Sequence, residues 1–288
     1  MKGEETKLTT SAVPAGLIFE NRENPYLFWV ELEAGKLHLL ERVDKGRYIS
    51  KSTLPISIGK NGIGKQVEGD GKTPLGVYQF TSHLDDKYLD DYYGVGAYPV
   101  NFPNVWDRIL NRTGHGIWLH GLPKGVKSRP ARDSEGCVII DNYSMKQMGP
   151  YITIGESLFV LSTSLDWLPT GAEQPSSDIL DSIEHWRQSW EANKAETYLA
   201  YYHPDFTDTR RDLQEWSIYK RRVNSIKSFI KIDISEMSVI EYPGEENLVA
   251  VRFYQRYQSS NHNWQGWKHL LWRRDDAGYW RILYEGNG

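Results

Sequence analysis

The segment LHGLPKGVKSRPARDSEGCVIIDN, Leu119–Asn142, holds the single cysteine of the 288-residue chain. Cys137 follows Ser134, Glu135 and Gly136 and stands seventeen residues beyond His120, which is itself followed by Gly121. IWLHGLP is a short apolar run ending in the polar His-Gly pair, and CVIID is a second. Each reads as a strand, so the histidine closes one and the cysteine opens the other. If the two strands pair, these side chains can meet across the ladder. A thiol becomes a nucleophile when a neighbour lowers its pKa or takes its proton, typically a histidine. Gly136 permits unusual backbone angles before the cysteine, and the N–H groups of Gly136 and Cys137 are natural oxyanion donors. Ser134 can hydrogen-bond within the turn, and the loop from Leu122 to Ser134 can wall a cleft. A second reading stays open: a lone cysteine is more often a buried, inert residue, and a lone histidine a structural one.

Working outward, LFWVELEAGKLHLLER has apolar-rich runs at Leu27–Glu33 and Lys36–Arg42 around Ala34-Gly35, the pattern of a β-hairpin. STLPISIG continues it. The next segment, GKNGIGKQVEGDGKTPLGVYQF, is rich in glycine and invites comparison with a phosphate cradle. Its GKNGIGKQ has the wrong spacing for a P-loop, with Gln66 where Ser or Thr should hold magnesium. GDGKT is followed at once by Pro74 and Gly76, where no helix starts well, so nucleotide binding is rejected. Downstream, NYSMKQMGPYI reads as a short helix capped by Asn142 or Ser144, and ESLFVLS as a strand. Residues 25–165 thus form one mainly β domain with few helices, after an N-terminal tail at 1–24.

The pattern breaks at DWLPTGAEQPSSD, whose Pro, Gly and Ser mark a linker at 166–176. Beyond it, Ile179, Ile183, Trp186 and Trp190 form the stripe of an amphipathic helix capped near Ser177 or Asp178. Trp216, Tyr219, Val223, Ile226 and Ile230 form a second stripe. Strand-like runs follow at Ile232–Tyr242, Asn247–Gln258, Trp264–Arg273 and Tyr279–Tyr284. Residues 177–288 therefore read as an α+β domain, helices plus a four-stranded antiparallel sheet.

With 39% hydrophobic and 25% charged residues the chain has the composition of a soluble globular protein. A net charge of −4 gives no support to binding nucleic acid or an anionic membrane. No apolar run approaches the roughly 18 residues of a transmembrane segment. The start, MKGEETKLTTSAVPAG, lacks the apolar core of a secretory signal. One cysteine cannot form an internal disulfide. Many of the 11 Trp and 18 Tyr lie beyond Ser176, where they can line a core or a groove.

The elements IWLHG and SEGCV, with GDGKTPLGVYQF upstream, resemble the L,D-transpeptidase catalytic domain family (YkuD-like) over roughly residues 25–163. The resemblance implies a β-sandwich with a cleft roofed by loops, Cys137 as nucleophile and His120 as base. It implies a backbone carbonyl, at Gly121, as the third member, and neither metal nor other cofactor. The chain departs from the family at Glu135, where many members have His or Lys. It departs again at Ile139, where many have Arg. A cation that anchors substrate would then come from elsewhere, and Arg129 and Arg132 are the candidates because a guanidinium pairs well with a carboxylate. Either can instead pair with Asp133 or face solvent. Ser134 joins them as a candidate substrate-binding residue. Thr73 and Pro74 read as shaping the sheet, and Trp118 as core.

The reaction so implied is acyl transfer on tetrapeptide stems of peptidoglycan, at the bond between meso-diaminopimelate and terminal D-alanine, through a Cys137 thioester. An exported protein of the periplasm or cell envelope is implied too, with its signal peptide absent from these residues. WRQSWEANKAETYLAYYHPDF resembles the opening helices of the nuclear transport factor 2-like cone fold. A catalytic domain followed by such a cone resembles the cell-shape-determining L,D-carboxypeptidases of curved and helical bacteria, which trim tetrapeptide to tripeptide. The alternatives are an L,D-transpeptidase forming 3→3 cross-links and, from another class, a non-catalytic wall-binding protein. NHNWQGWKHLLWRR can furnish aromatic and basic groups for a glycan or peptide in the C-terminal domain. Otherwise its tryptophans are core and the domain orients the enzyme or makes a homodimer. His203 and Asp205 invite an acid–base reading. An activated Cys137 is expected to alkylate fast at mildly acidic pH.

Overall fold

Apolar alternation along the N-terminal half builds two facing sheets in the computed structural model, which describes residues 12–44 and 46–288. Contacts divide the chain into two units, one of 12–14 with Asn24–Thr170 and one of Ala15–Glu23 with Gly171–Gly288. In the first, Tyr26–Glu31 pairs antiparallel with Lys36–Asp44. Gly35 closes that hairpin at φ +64°, a left-handed angle that a residue with a side chain rarely takes. The hairpin sits inside a seven-stranded sheet ordered Trp167–Pro169, Ala12–Pro14, Arg47–Pro55, Lys36–Asp44, Tyr26–Glu31, Leu158–Ser162, Gly76–Gln79. A four-stranded sheet runs Val138–Ile140, Trp118–Gly121, Gly96–Pro99, Leu84–Asp85.

Phe28, Val30, Leu37 and Leu39 of the large sheet share one buried cluster with Leu119, Val138 and Ile140 of the small one. This is sandwich packing, and its apolar burial is the main driving force for holding the small sheet in place. A separate parallel ladder joins Arg132–Ser134 to Ile58–Gly59, tying the loop before Cys137 to the glycine-rich segment. The helix Asn142–Met148 packs Met145 and Met148 into the same core. Its cap is Asp141, whose carboxylate accepts the Ser144 N–H, and not Asn142 or Ser144. A further short helix, Val105–Ile109, is set by a capping box of Asn104 and Asp107.

The second unit is a six-stranded sheet ordered Tyr202–Thr207, Trp280–Asn287, His262–Arg274, Leu248–Ser259, Ile230–Glu241, Leu17–Glu20. The four strands expected from the sequence form its centre, and two more flank them. One of these, Leu17–Glu20, comes from the stretch read as a tail and covers an edge that would otherwise expose unpaired backbone. Ala12–Pro14 is likewise a strand, so 12–20 are structured and the tail reading fails there. Runs of three and four residues are too short to show a period.

The helix Ile179–Glu191 buries Ile179, Ile183, Trp186 and Trp190, the stripe read from the sequence. The second stripe overran. Its helix is Leu213–Ser225, started by a capping box of Asp212 and Glu215. Ile226 is its exposed C-cap and Ile230 already opens a strand. The short helix Ala195–Leu199 lies between the two in sequence.

Candidate active site

Trp118–Gly121 and Val138–Ile140 pair in parallel, with Leu119 opposite Val138 and His120 opposite Ile139. Leu119, Val138 and Ile140 face the core. Side chains alternate along a strand, so His120 and Cys137 project to the other face together.

His120 is fully buried. Its Nδ1 lies 2.8 Å from the Gly121 carbonyl oxygen. That oxygen can only accept, so Nδ1 carries the proton and Nε2 is left as a bare lone pair. Nε2 is buried with no hydrogen-bond partner. Burial lowers the imidazole pKa to about 4, with the Gly121 carbonyl opposing and the Arg129 charge reinforcing the shift. Gly121 has no room for a side chain, because a Cβ there would strike Asn142 Oδ1. Asn142 accepts the Val95 N–H at 3.2 Å and donates to the Leu122 carbonyl at 2.8 Å, clamping the chain just after the histidine.

The Cys137 thiol is partly accessible to solvent and lies 3.3 Å from the Gly116 carbonyl. Burial pushes it up to about 11, while the Trp118 N–H and the charges of Lys65 and Arg129 pull the other way. Gly136 adopts φ +129°, and a Cβ there would come 2.7 Å from the Lys72 carbonyl, so only glycine fits. Its N–H is committed to Ser134 Oγ at 3.0 Å, which removes it as an oxyanion donor. The Cys137 N–H keeps no protein partner among the described residues.

Ser134 is buried and its hydroxyl donates to the Cys137 carbonyl at 2.7 Å. It holds the turn from inside, with its hydroxyl committed to the Cys137 carbonyl and the Gly136 N–H. Arg129 donates to Asp133 Oδ2 at 2.8 Å and lies over the Tyr92 ring, 5.4 Å from its centre. Its charge lowers the pKa of both His120 and Cys137, whereas Arg132 is exposed beside Gly62. Trp118 is half-buried and packs on Tyr93 at 4.7 Å between ring centres, outside the core cluster.

Three neighbours carried no signal in the sequence. Tyr92 and Tyr93, on one turn of 3₁₀ helix, place their rings 5.8 and 5.2 Å from that of His120. Lys65, in the glycine-rich segment, is buried and pairs with Asp70 at 2.8 Å. Burial opposes ionisation of Asp70, but Lys65 and the N–H groups of Gln66, Lys72 and Val67 hold it at about 2. Among the described residues no group of three or more His, Cys, Asp or Glu could hold a metal.

The second unit carries a pocket of about 510 Å³. Lys220 is buried against it with its ammonium 4.4 Å from the ring centres of both Trp190 and Trp216. Burial lowers this lysine to about 8, and no carboxylate pairs with it directly among the described residues. Glu285, beside it, accepts from Tyr202 at 2.7 Å and from Lys268 at 2.9 Å. NHNWQGWKHLLWRR supplies His262, Trp264 and Lys268 to the lining, while its Trp272 is core. His203 accepts the Asp205 N–H, and neither residue lines the pocket.

Comparison with known proteins accounts for both units. Residues 25–160 match the L,D-transpeptidase catalytic domain model (YkuD), and residues 178–286 match the Cds6 C-terminal NTF2-like domain. The chain thus joins an L,D-transpeptidase catalytic domain to a C-terminal NTF2-like domain. It is similar to Bd1075 of Bdellovibrio bacteriovorus, at 27% identity and TM-score 0.81, over 95% of this chain and 97% of that one. It is similar in fold to the helical cell shape determining protein Pgp2 of Campylobacter jejuni, at 23% identity and TM-score 0.76, over 94% of this chain and 95% of that one. No curated protein matches it. No described helix is long and apolar enough to cross a membrane.

Burial favours the neutral form of both His120 and Cys137, so the resting pair is imidazole and thiol and not an ion pair. The fast alkylation at mildly acidic pH expected from the sequence is therefore replaced by a slow reaction that rises with thiolate fraction. Iodoacetamide should modify Cys137 about tenfold faster per pH unit between about pH 6 and 9. A rate constant flat over that interval would mark a preformed thiolate–imidazolium pair and contradict this picture.

Proposed function

We propose that the first domain is a cysteine acyl-transfer enzyme of the periplasm or cell envelope. Its substrate would be the tetrapeptide stem of peptidoglycan, and water would complete the reaction, trimming tetra- to tripeptide. The observation that carries this reading is the unpartnered, unprotonated Nε2 of His120 on the same strand face as the Cys137 thiol.

In the reaction, Sγ attacks the carbonyl between meso-diaminopimelate and D-alanine as its proton passes to His120 Nε2. The Gly121 carbonyl holds Nδ1–H, which keeps the ring aligned and stabilises the imidazolium. The Cys137 N–H meets the oxyanion. The C–N bond then breaks, the imidazolium gives its proton to the departing amine, and a thioester remains. Nε2 next takes a proton from water as its oxygen attacks the thioester; the C–S bond breaks, the imidazolium returns the proton to Sγ, and the tripeptide leaves.

Arg129 has five N–H groups and spends three on Asp133 and Tyr92, leaving others to pair with the terminal D-alanine carboxylate. Arg129 is preferred to Arg132 for that role because it lies over Tyr92, whose ring is 5.8 Å from that of His120. The Campylobacter jejuni protein of the same fold is named for determining helical cell shape. In the alternative, 3→3 cross-linking, an amine would replace the water. A wall-binding protein without catalysis is the weaker reading, since it has no use for a bare imidazole nitrogen on the same strand face as a thiol.

Incubation with disaccharide-tetrapeptide, followed by product separation by mass, should give tripeptide and free D-alanine from the wild type and none from Cys137→Ala. Dimers joined 3→3 would assign the transpeptidase, and no turnover would overturn the enzymatic reading.

The second domain's pocket supports binding of an anionic peptide or glycan segment of the same polymer. Its buried Lys220 faces the rings of Trp190, Tyr198 and Trp216, and among the described residues no carboxylate pairs with it directly, so an entering carboxylate would complete it. Titrated calorimetrically with disaccharide-tripeptide in a Cys137→Ala background, Lys220→Met should bind at least about tenfold more weakly. Equal affinities would remove this lysine from recognition.

A further inference from the structure

We propose that Thr73 is a positioning residue that aims the Cys137 N–H at the oxyanion. The inference rests on the acyl-transfer reading of Cys137 and deepens it. Thr73 is fully buried in the glycine-rich segment. Its Oγ1 accepts the Gly59 N–H at 2.9 Å and donates to the Gly136 carbonyl at 3.0 Å. Because the hydroxyl already accepts from Gly59, its proton is directed to Gly136.

Gly136 and Cys137 share one peptide unit, and that unit is trans. In a planar trans peptide the C=O and N–H point in opposite directions. A hydroxyl that grips the Gly136 oxygen on one side therefore fixes the direction of the Cys137 N–H on the other. Gly136 most needs such a grip, because at φ +129° and without a side chain its own torsions constrain the unit little. Ser134 holds the flanking groups, accepting the Gly136 N–H and donating to the Cys137 carbonyl, but it touches neither end of this unit.

Thr73 itself cannot drift. Its N–H donates to the Gly62 carbonyl at 2.9 Å and its carbonyl accepts the Gly64 N–H at 2.8 Å. Hydrogen bonding to the Gly136 oxygen also polarises the amide, making the Cys137 N–H a stronger donor as negative charge develops on substrate. Thr73 touches no reacting atom, and its effect is confined to steps that form an oxyanion.

That confinement makes the proposal testable without peptidoglycan. With p-nitrophenyl acetate the Sγ–C bond forms and the ester C–O bond breaks. p-Nitrophenolate leaves with the electron pair, the thiol proton goes to His120 Nε2, and an acetyl thioester stays on Cys137. Iodoacetamide reacts at a tetrahedral carbon, where the S–C bond forms as the C–I bond breaks and iodide leaves, so no oxyanion forms. Thr73→Val, which keeps the shape and removes the hydroxyl, should slow the p-nitrophenol burst about 10- to 100-fold while alkylation stays within about twofold. Thr73→Ser should keep the burst within about threefold of wild type. If Thr73→Val does not fold, Thr73→Ala, which also removes the hydroxyl and adds no second thiol, serves the same comparison. A burst unchanged in the variant that lacks the hydroxyl, or falling in step with alkylation, would overturn the proposal alone. A wild-type burst no larger than that of Cys137→Ala would overturn the acyl-transfer reading and this proposal with it.

Discussion

Two short strands, Trp118–Gly121 and Val138–Ile140, pair in parallel with Leu119 opposite Val138, and the candidate site depends on that register. A slip of one residue would turn His120 into the core and Leu119 out of it. What prevents the slip is the packing of Leu119, Val138 and Ile140 among the buried residues of the large sheet. The hydrophobic core thus does more than stabilise the domain. It selects the pairing that puts an imidazole and a thiol on one face.

The same burial sets the electrostatics. An imidazole held near 4 and a thiol near 11 make proton transfer between them unfavourable until a substrate carbonyl accepts the sulfur. Catalysis on this scheme is concerted, and it leans on groups that meet charge only as charge appears. In the proposed reaction these would come from backbone: the Gly121 carbonyl for the imidazolium and the Cys137 N–H for the oxyanion. Side chains from elsewhere hold the backbone still, with Asn142 gripping the chain after His120 and Ser134 bracing the turn at Cys137. Glycine at 121 and 136 is the steric consequence, because each braced segment has no space left for a Cβ.

Much of this was legible in the chain. Cys137, His120 and Gly121 stand at strand ends that an apolar run marks on either side, and their spacing matches a known family. The sandwich and the Ile179–Trp190 stripe could be read for the same reason, since each has a clear period, whereas part of the stretch read as a linker at 166–176 forms the strand Trp167–Pro169. The donors could not. Whether the Gly136 N–H is free depends on where the Ser134 hydroxyl turns, and no sequence pattern records that. Tyr92, Tyr93 and Lys65 reach the site only through tertiary folding, from segments that read as loop. Ile226 and Ile230 kept helical spacing by coincidence across the turn where Lys227 donates to the Asn224 carbonyl and the helix has ended.

The central claim is that Cys137 becomes covalently acylated by a peptide stem. The most direct measurement is the mass of the protein after acid quench during turnover of disaccharide-tetrapeptide, with the adduct mapped by proteolysis. The account predicts a thioester-linked disaccharide-tripeptide on the Cys137 peptide, absent from Cys137→Ala and released by hydroxylamine. Turnover to tripeptide through a protein that never carries the adduct, or that retains activity without the thiol, would contradict it.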